Sequence, residues 1–356
     1  MHADLLISDL IWPHPDAPAV MRGLELPTLQ RWLARGKTSL APGVSRAGWL
    51  WQQFTRPPAA NTATDRVGAD LPPASRDLPL APVTLAFDGG APGARWWMRA
   101  DPVHFIVGRT GLRLAPPSVL SLSTEEALAL AASVQKHFTD PRFALLPAHP
   151  MRWYLGADQP FDLRTRSLQQ SVGQDVGLGL PDGPARRDWV GFLNEVQMLW
   201  FEHPVNQARE RRGEPVASSL WLHGLGQLPP TGQTAFDHTM GSDVLLAALA
   251  AFTGCAHTAL AASANHWLTQ AAGGHWLIEL DALSGPALAG DAWAWREAMH
   301  RLEHDWCAPL DQALRAGRLA SLRLIEPGEH RLRITHIGAH DHLRFWRSVR
   351  ALTADA

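Results

Sequence analysis

The sequence predicts an α/β fold: a central sheet flanked by helices, interrupted by an α+β insertion. Three observations carry the prediction. The chain opens strand, turn, helix. ADLLISDLIW is an apolar run, Pro13, Pro15 and Pro18 break it, and ELPTLQRWLARGK puts Leu26, Leu29, Trp32 and Leu33 on one helical face before Gly36. The chain closes on the same alternation. GHWLIELDAL reads as a strand, DAWAWREAMHRLEHDWCAPLDQALRAG as one long helix, and SLRLIEPG and HRLRITHIG as strands. Between these ends, strand-like runs precede helices, which is the α+β order. The expected core is 1–94 with 201–356, and the expected insertion is 95–200.

Between the two ends, APVTLAF, ARWWMRADPVHFIV and GLRLA read as strands of a meander. LSTEEALALAASVQKHF is the clearest helix, because Ser123 and Glu126 have the spacing at which each side chain satisfies a free N–H of the first turn. FALLPAHPMRWYLG reads as another strand, and RDWVGFLNEVQMLWFEHP as an amphipathic helix ending at Pro204. SDVLLAALAAFTG is a buried helix closed by Gly254. Residues 56–82, rich in Pro, Ala and Asp without periodicity, read as a surface excursion.

Composition excludes several functions. The apolar fraction of 46% and charged fraction of 19% fit a globular chain with ample core. A formal charge of −2 gives no electrostatic case for nucleic acid or an anionic membrane. No segment approaches the ~18 apolar residues of a spanning helix, and the N-terminal run, broken by Asp4 and Asp9, lacks a basic leader. Cys255 and Cys307 are too few for a disulfide framework. A cytoplasmic protein is therefore expected. The 16 tryptophans are expected mainly in the core, although Trp12, Trp49, Trp51, Trp96 and Trp97 would make a partner surface if exposed.

The stretch EHPVNQARERRGEPVASSLWLHGLGQLP holds the densest chemistry. His-Pro-Val-Asn makes a turn in which Asn206 bonds nearby backbone. Arg209, Arg211 and Arg212 offer donor forks for carboxylate or phosphate. Gly224 and Gly226 let backbone pass close to a bound group, or simply turn. On the residues alone, a polar loop leading into a core strand is the simpler reading.

The order of those residues resembles a signature of the archaeal-type, cofactor-independent phosphoglycerate mutases, which belong to the alkaline-phosphatase superfamily. His203, Pro204, Asn206, Arg209, Gly213, Pro215, Trp221, Gly224, Gly226 and Pro229 fall in the family's sequence, with Ser218, His223 and Leu225 as departures. WWMRADPVHF is similar to the family's Arg-x-Asn strand and PMRWYLG to its Tyr-Arg strand. LELPTLQRWLARGK and LSTEEALAL resemble two of its helices. A set of uncharacterised proteobacterial proteins, labelled phosphoglycerate-mutase-like or regulators of pathogenicity factors, is closer still. The resemblance implies that the flanked sheet is of the alkaline-phosphatase kind. It also implies that His203, Asn206, Arg209, Arg212, Trp221, Gly224 and Gly226 line a site for a phosphorylated acid.

The same resemblance implies two divalent metals, manganese or zinc, and a serine that carries the phosphoryl group. Asp9 matches the first ligand, but Leu10 replaces its glycine. Ser45 is the best nucleophile, although a turn serine is the simpler reading. Asp281 is followed at the histidine position by Gly285, and Glu326–Pro327 stands where an Asp-His pair belongs. With Asp9, Asp281 and Glu326 alone, the set is too incomplete to hold two cations. His336, His340, Asp341 and His342 form a rival cluster, with Asp341–His342 expected in a C-terminal helix. Asp237–His238 reads as a loop or cap.

A degenerate, catalytically inactive relative with a regulatory role is the expected function. It would bind an anionic or phosphorylated small molecule, or a protein partner, and need no cofactor. The alternatives are an active metal-dependent mutase or phosphatase with a rearranged site, and an interaction protein without ligand.

Overall fold

HADLLI forms β1 (His2–Ile7), with every residue after His2 buried, as a strand covered on both faces requires. The computed structural model describes residues 1–55, 77–108, 111–230, 232–271, 273–349 and 352. After β1 come β2 (Lys37–Val44), β3 (Trp96–Val103), β4 (Phe105–Val107), β5 (Leu112–Leu114), β6 (Phe143–His149) and β7 (Arg152–Ala157). Then follow β8 (Ser219–Gly226), β9 (His238–Met240), β10 (Ala256–Thr258), β11 (His275–Leu280), β12 (Ser321–Glu326) and β13 (Gly328–Ile337). The chain divides into two compact units, Met1–Ala74 with Thr231–Ala356, and Ser75–Pro230. These edges differ from the expected 95–200, because the segment Leu80–Phe87 and β8 pack with β3 and so fall in the second unit.

The first unit is α/β. Its seven-stranded sheet runs β10-β9-β11-β1-β12-β13-β2. The strands β10, β9, β11, β1 and β12 are parallel, and β13 and β2 extend the sheet antiparallel to their neighbours. Two reversals leave β2 running in the direction of β1, so Val44 ends on the same sheet edge as Ile7, Leu280 and Glu326. One apolar cluster joins Leu5, Ile7, Leu29, Trp32, Ile278, Trp295 and Leu324.

The long helix expected after β11 is broken. Helix Ala292–Leu302 passes through a wider π-helical turn, Glu303–Cys307, into helix Ala308–Arg315. Pro309 has no N–H for the carbonyl four residues back, and the wider turn absorbs that loss. The turn also aims the buried Glu303 carboxylate at helix Pro27–Arg35, where it accepts the N–H groups of Thr28 (2.7 Å) and Leu29 (3.0 Å). Those donors have no partner within their own helix. At the C-terminus, Asp341–His342 lies in a single 3-10 turn, Asp341–Leu343.

The second unit is α+β. Its antiparallel sheet runs β6-β7-β3-β8, and β4 pairs with β5. FALLPAHPMRWYLG is two strands rather than one, turning at Pro150–Met151. Met98, Ala100, Trp153, Leu155, Leu220 and Leu222 cover one sheet face beneath helices Thr124–His137 and Arg186–Phe201. APVTLAF, expected as a strand, is helix Leu80–Phe87. A short apolar run has no period that separates the two states, and Pro82 sits in the first turn, where its missing N–H is not needed. The remainder of the expected excursion, residues 56–76, lies outside the described residues.

Removing the Glu303 carboxylate strands two buried N–H groups. Glu303→Ala is expected to destabilise the protein by about 2–4 kcal/mol, and Glu303→Gln, with one acceptor oxygen, to recover part of that. Thermal unfolding of the three proteins at pH 7 measures the difference.

Candidate functional site

In an open α/β sheet, ligands gather at the carboxyl ends of the parallel strands. In the first unit that edge carries four of the residues singled out from the sequence. Asp9 follows β1 with a positive φ of 58°. Its Oδ2 accepts from the Ser284 hydroxyl at 2.7 Å, and its carbonyl from the Trp295 indole at 2.9 Å. Burial pushes the Asp9 carboxyl up, against the pull of Ser284. Asp281 follows β11 and is exposed. Glu326 ends β12, buried, with both carboxylate oxygens taken by Arg333, its register partner on β13. Burial pushes the Glu326 carboxyl up, and Arg333 opposes it. Ser45 is the N-cap of helix Arg46–Thr55, its hydroxyl accepting from Gly48 N–H at 3.1 Å.

The donor chemistry does not fit a pair of divalent metals. Glu326 gives both oxygens to a guanidinium and would have to release it to coordinate, and Asp9 gives one of its oxygens to a hydroxyl. Among the described residues, no three His, Cys, Asp or Glu side chains converge as a group able to hold a metal. The rival C-terminal histidines are dispersed: His336 is in β13, and His342 turns its ring onto the Ala339 carbonyl at 2.6 Å. Asp237 caps the start of β11 through His275 N–H, and His238 opens β9.

The remaining expected residues lie in the second unit. His203 is the N-cap of helix Pro204–Arg211, its ring accepting from Val205 N–H, and burial lowers its pKa. Asn206, buried, bonds the carbonyls of Trp200 and Ala217 and the Ala217 N–H at 2.8–3.0 Å. Arg209, also buried, gives Nε to the Pro215 carbonyl and Nη1 to Glu126 at 2.7 Å each. Arg212 is held by Glu126 and Glu214, yet 48% of its side chain is exposed. Trp221 packs in an apolar cluster with its N–H on the Arg166 carbonyl. Gly224 takes a left-handed φ of 70°, and a Cβ on Gly226 would stand 2.4 Å from the Pro79 ring. The set mostly ties strand β8 to its surroundings.

A second cluster had not been gathered from the sequence. On the other face of the second sheet, beneath helix Leu80–Phe87, Arg99 grips Asp101 with two hydrogen bonds of 2.8 and 2.6 Å. His223 Nε2 lies 2.9 Å from the same carboxylate, and its Nδ1 is buried without a partner. Arg99 stacks over the Tyr154 ring, Tyr154 gives its hydroxyl to Asp88 at 2.6 Å, and Arg152 grips Asp88 bidentately. Burial works against charge on Asp101, but Arg99 first and then His223 hold its carboxyl below the usual range. The sequence signal was available: Arg99/Asp101 and Arg152/Tyr154 are period-two polar pairs inside buried strands. They are also the strands that carried the weaker parts of the mutase resemblance.

Among solved structures the chain is similar to the PH0037 protein from Pyrococcus horikoshii. The two are 12% identical with a TM-score of 0.51, over 95% of this chain and 87% of that one. It is also similar to a cofactor-independent phosphoglycerate mutase from Thermoplasma acidophilum DSM 1728, at 13% identity and a TM-score of 0.48, over 100% and 95% of the two chains. The PH0037 likeness is one of fold alone. No family model and no curated protein matches the chain. Among the described residues, no helix is long and apolar enough to cross a membrane.

The Asp101 pair sets a pH dependence. A depressed folded pKa adds stability that is complete above the ordinary aspartate value of about 3.9 and is lost as pH falls through the lower folded value. Asp101→Asn should lose about 3–5 kcal/mol at pH 7 by leaving Arg99 buried and unpaired. It should also flatten the stability decline below about pH 4. Urea titrations from pH 7 to pH 3 read both effects.

Proposed function

We propose that this chain is a phosphoglycerate-mutase-like protein of the alkaline-phosphatase superfamily that does not transfer phosphoryl groups. It acts instead as a binding protein for a phosphorylated or otherwise anionic small molecule, in a regulatory role. One observation carries this reading: at the carboxyl edge of the first unit's sheet, Arg333 and Arg46 occupy the buried carboxylates of Glu326 and Glu279. Without a divalent cation, nothing there lowers the pKa of the Ser45 hydroxyl or balances the charge of a transferring phosphoryl group. Ser45 is left as a helix cap. The ordering of His203, Asn206, Arg209, Trp221, Gly224 and Gly226 supports the family. Arg212, the arginine of that set with an exposed guanidinium, supports an anionic ligand.

The expected outcome is that purified full-length protein with 3-phosphoglycerate and Mn²⁺ gives no isomerisation, and that Ser45→Ala changes nothing. 3-Phosphoglycerate at millimolar concentration should raise the melting temperature, and Arg212→Ala should remove most of that rise. Mn²⁺-dependent turnover abolished by Ser45→Ala would falsify the silent-relative reading. A melting temperature indifferent to phosphorylated acids would leave only the interaction role.

A further inference from the structure

We propose that a cleft at the amino edge of the first unit's sheet, lined by Arg31, Arg35 and Arg315, binds a small tetrahedral oxyanion, free phosphate. The inference goes beyond the functional reading above and does not rest on it. The strand β13 ends at Ile337, which pairs with Leu322 near the start of β12. The cleft therefore lies at the opposite edge of the sheet from Asp9, Ser45 and Glu326. Helix Pro27–Arg35, helix Ala308–Arg315 and the turn after Ile337 line about 270 Å³ of space, part of it open to solvent. Arg31 and Arg35 are four residues apart and so share one helical face, and Arg315 is the last residue of the second helix.

Two features separate this cluster from ordinary surface arginines. The first is a charge imbalance. Arg31 and Arg315 share one oxygen of Asp311, at 2.8 and 2.7 Å, and the Trp32 indole donates to the other. Asp341 accepts from Arg344 and from the Gly338 N–H. Arg35 has no carboxylate partner among the described residues. Its Nη1 donates to the His342 carbonyl at 2.6 Å, a bond that leaves the positive charge uncancelled. Four guanidinium groups thus meet two carboxylates, an excess that a phosphate dianion balances. The second feature is unspent donors. The Nε–H groups of Arg31 and Arg35 are both buried with no hydrogen-bond partner, and buried donors are paired as a rule. Guanidinium groups that arrive from two helices suit a tetrahedral oxyanion, whose oxygens point in several directions. A planar carboxylate is saturated by one fork.

The test melts the full chain as wild type, Arg35→Gln, Arg315→Gln and Arg212→Ala in sodium phosphate, β-glycerophosphate and sodium chloride. Ionic strength is matched at about pH 8, where both phosphates are mainly dianions, and binding is followed by calorimetry. Phosphate at a hundredfold excess over its Kd should raise the wild-type melting temperature by about 5 °C above chloride. Arg35→Gln should weaken phosphate binding about ten- to hundredfold, and Arg212→Ala, in the other unit, should keep it. Arg35 also ties the turn after Ile337 to its helix, so Arg315→Gln, whose side chain is 44% exposed, repeats the test without cutting that tie. Loss of the phosphate response in either cleft variant, with Arg212→Ala unchanged, supports the proposal. A weaker response to β-glycerophosphate is expected of a site for the free ion. An equal one, lost in the same variants, assigns the same arginines to phosphate esters. A wild type that melts alike in phosphate and chloride overturns the proposal. So does a phosphate response that survives both cleft variants, or one that disappears in Arg212→Ala.

Discussion

A buried carboxylate is tolerated only when something neutralises it, and in both units of this protein that partner is usually an arginine. Asp4, in the middle of β1, is gripped by Arg323 from the neighbouring β12 and approached by His275 at 3.3 Å. Glu279 meets Arg46, Glu326 meets Arg333, and Asp101 meets Arg99. Breaking such a pair leaves an uncompensated charge in low dielectric, at about 3–5 kcal/mol. The planar guanidinium suits the role because it stays charged and presents a fork of donors to both oxygens. The pairs therefore set strand neighbours and registers as much as the apolar layers do.

Most of this architecture could be read from residue order, because it rests on periodicity and capping, which are local. Ser123 and Glu126 form the reciprocal cap their spacing implies, and Gly254 closes its helix in the left-handed conformation. Where physics is not local, the sequence misleads. APVTLAF became a helix because only its packing on β3 and β8 separates the two states. The break at Glu303–Cys307 depends on Thr28 and Leu29, some 275 residues away in sequence.

The site was legible in a different way. Arg209 and Asn206 stood out for their chemistry, and the structure shows that chemistry directed inward, at Glu126, Pro215, Trp200 and Ala217. Arg46 did not stand out, because an arginine beside a serine in a turn has no pattern of its own. Its meaning comes from Glu279 and Asp243, about two hundred residues downstream, which the sheet order brings to it. Asp101 and His223 are a related case. Each departs from the resembled pattern, an aspartate where that family has asparagine and a histidine where it has tryptophan. The two departures bond each other at 2.9 Å.

The choice of an arginine as the partner of a buried carboxylate has a physical logic. A metal held by carboxylates stabilises a fold only while the ion is available, and its free energy varies with ion concentration and pH. A tethered guanidinium supplies a cation at fixed stoichiometry, always protonated, and cannot be removed by a chelator. It gives up what a metal would offer chemically: open coordination positions, Lewis acidity and a lowered pKa for a bound oxygen. Arg46 against Glu279 and Arg333 against Glu326 therefore favour permanence over reactivity. A protein whose task is to hold a ligand or meet a partner loses nothing by that exchange, whereas an enzyme built on the same sheet would lose the group that drives its reaction.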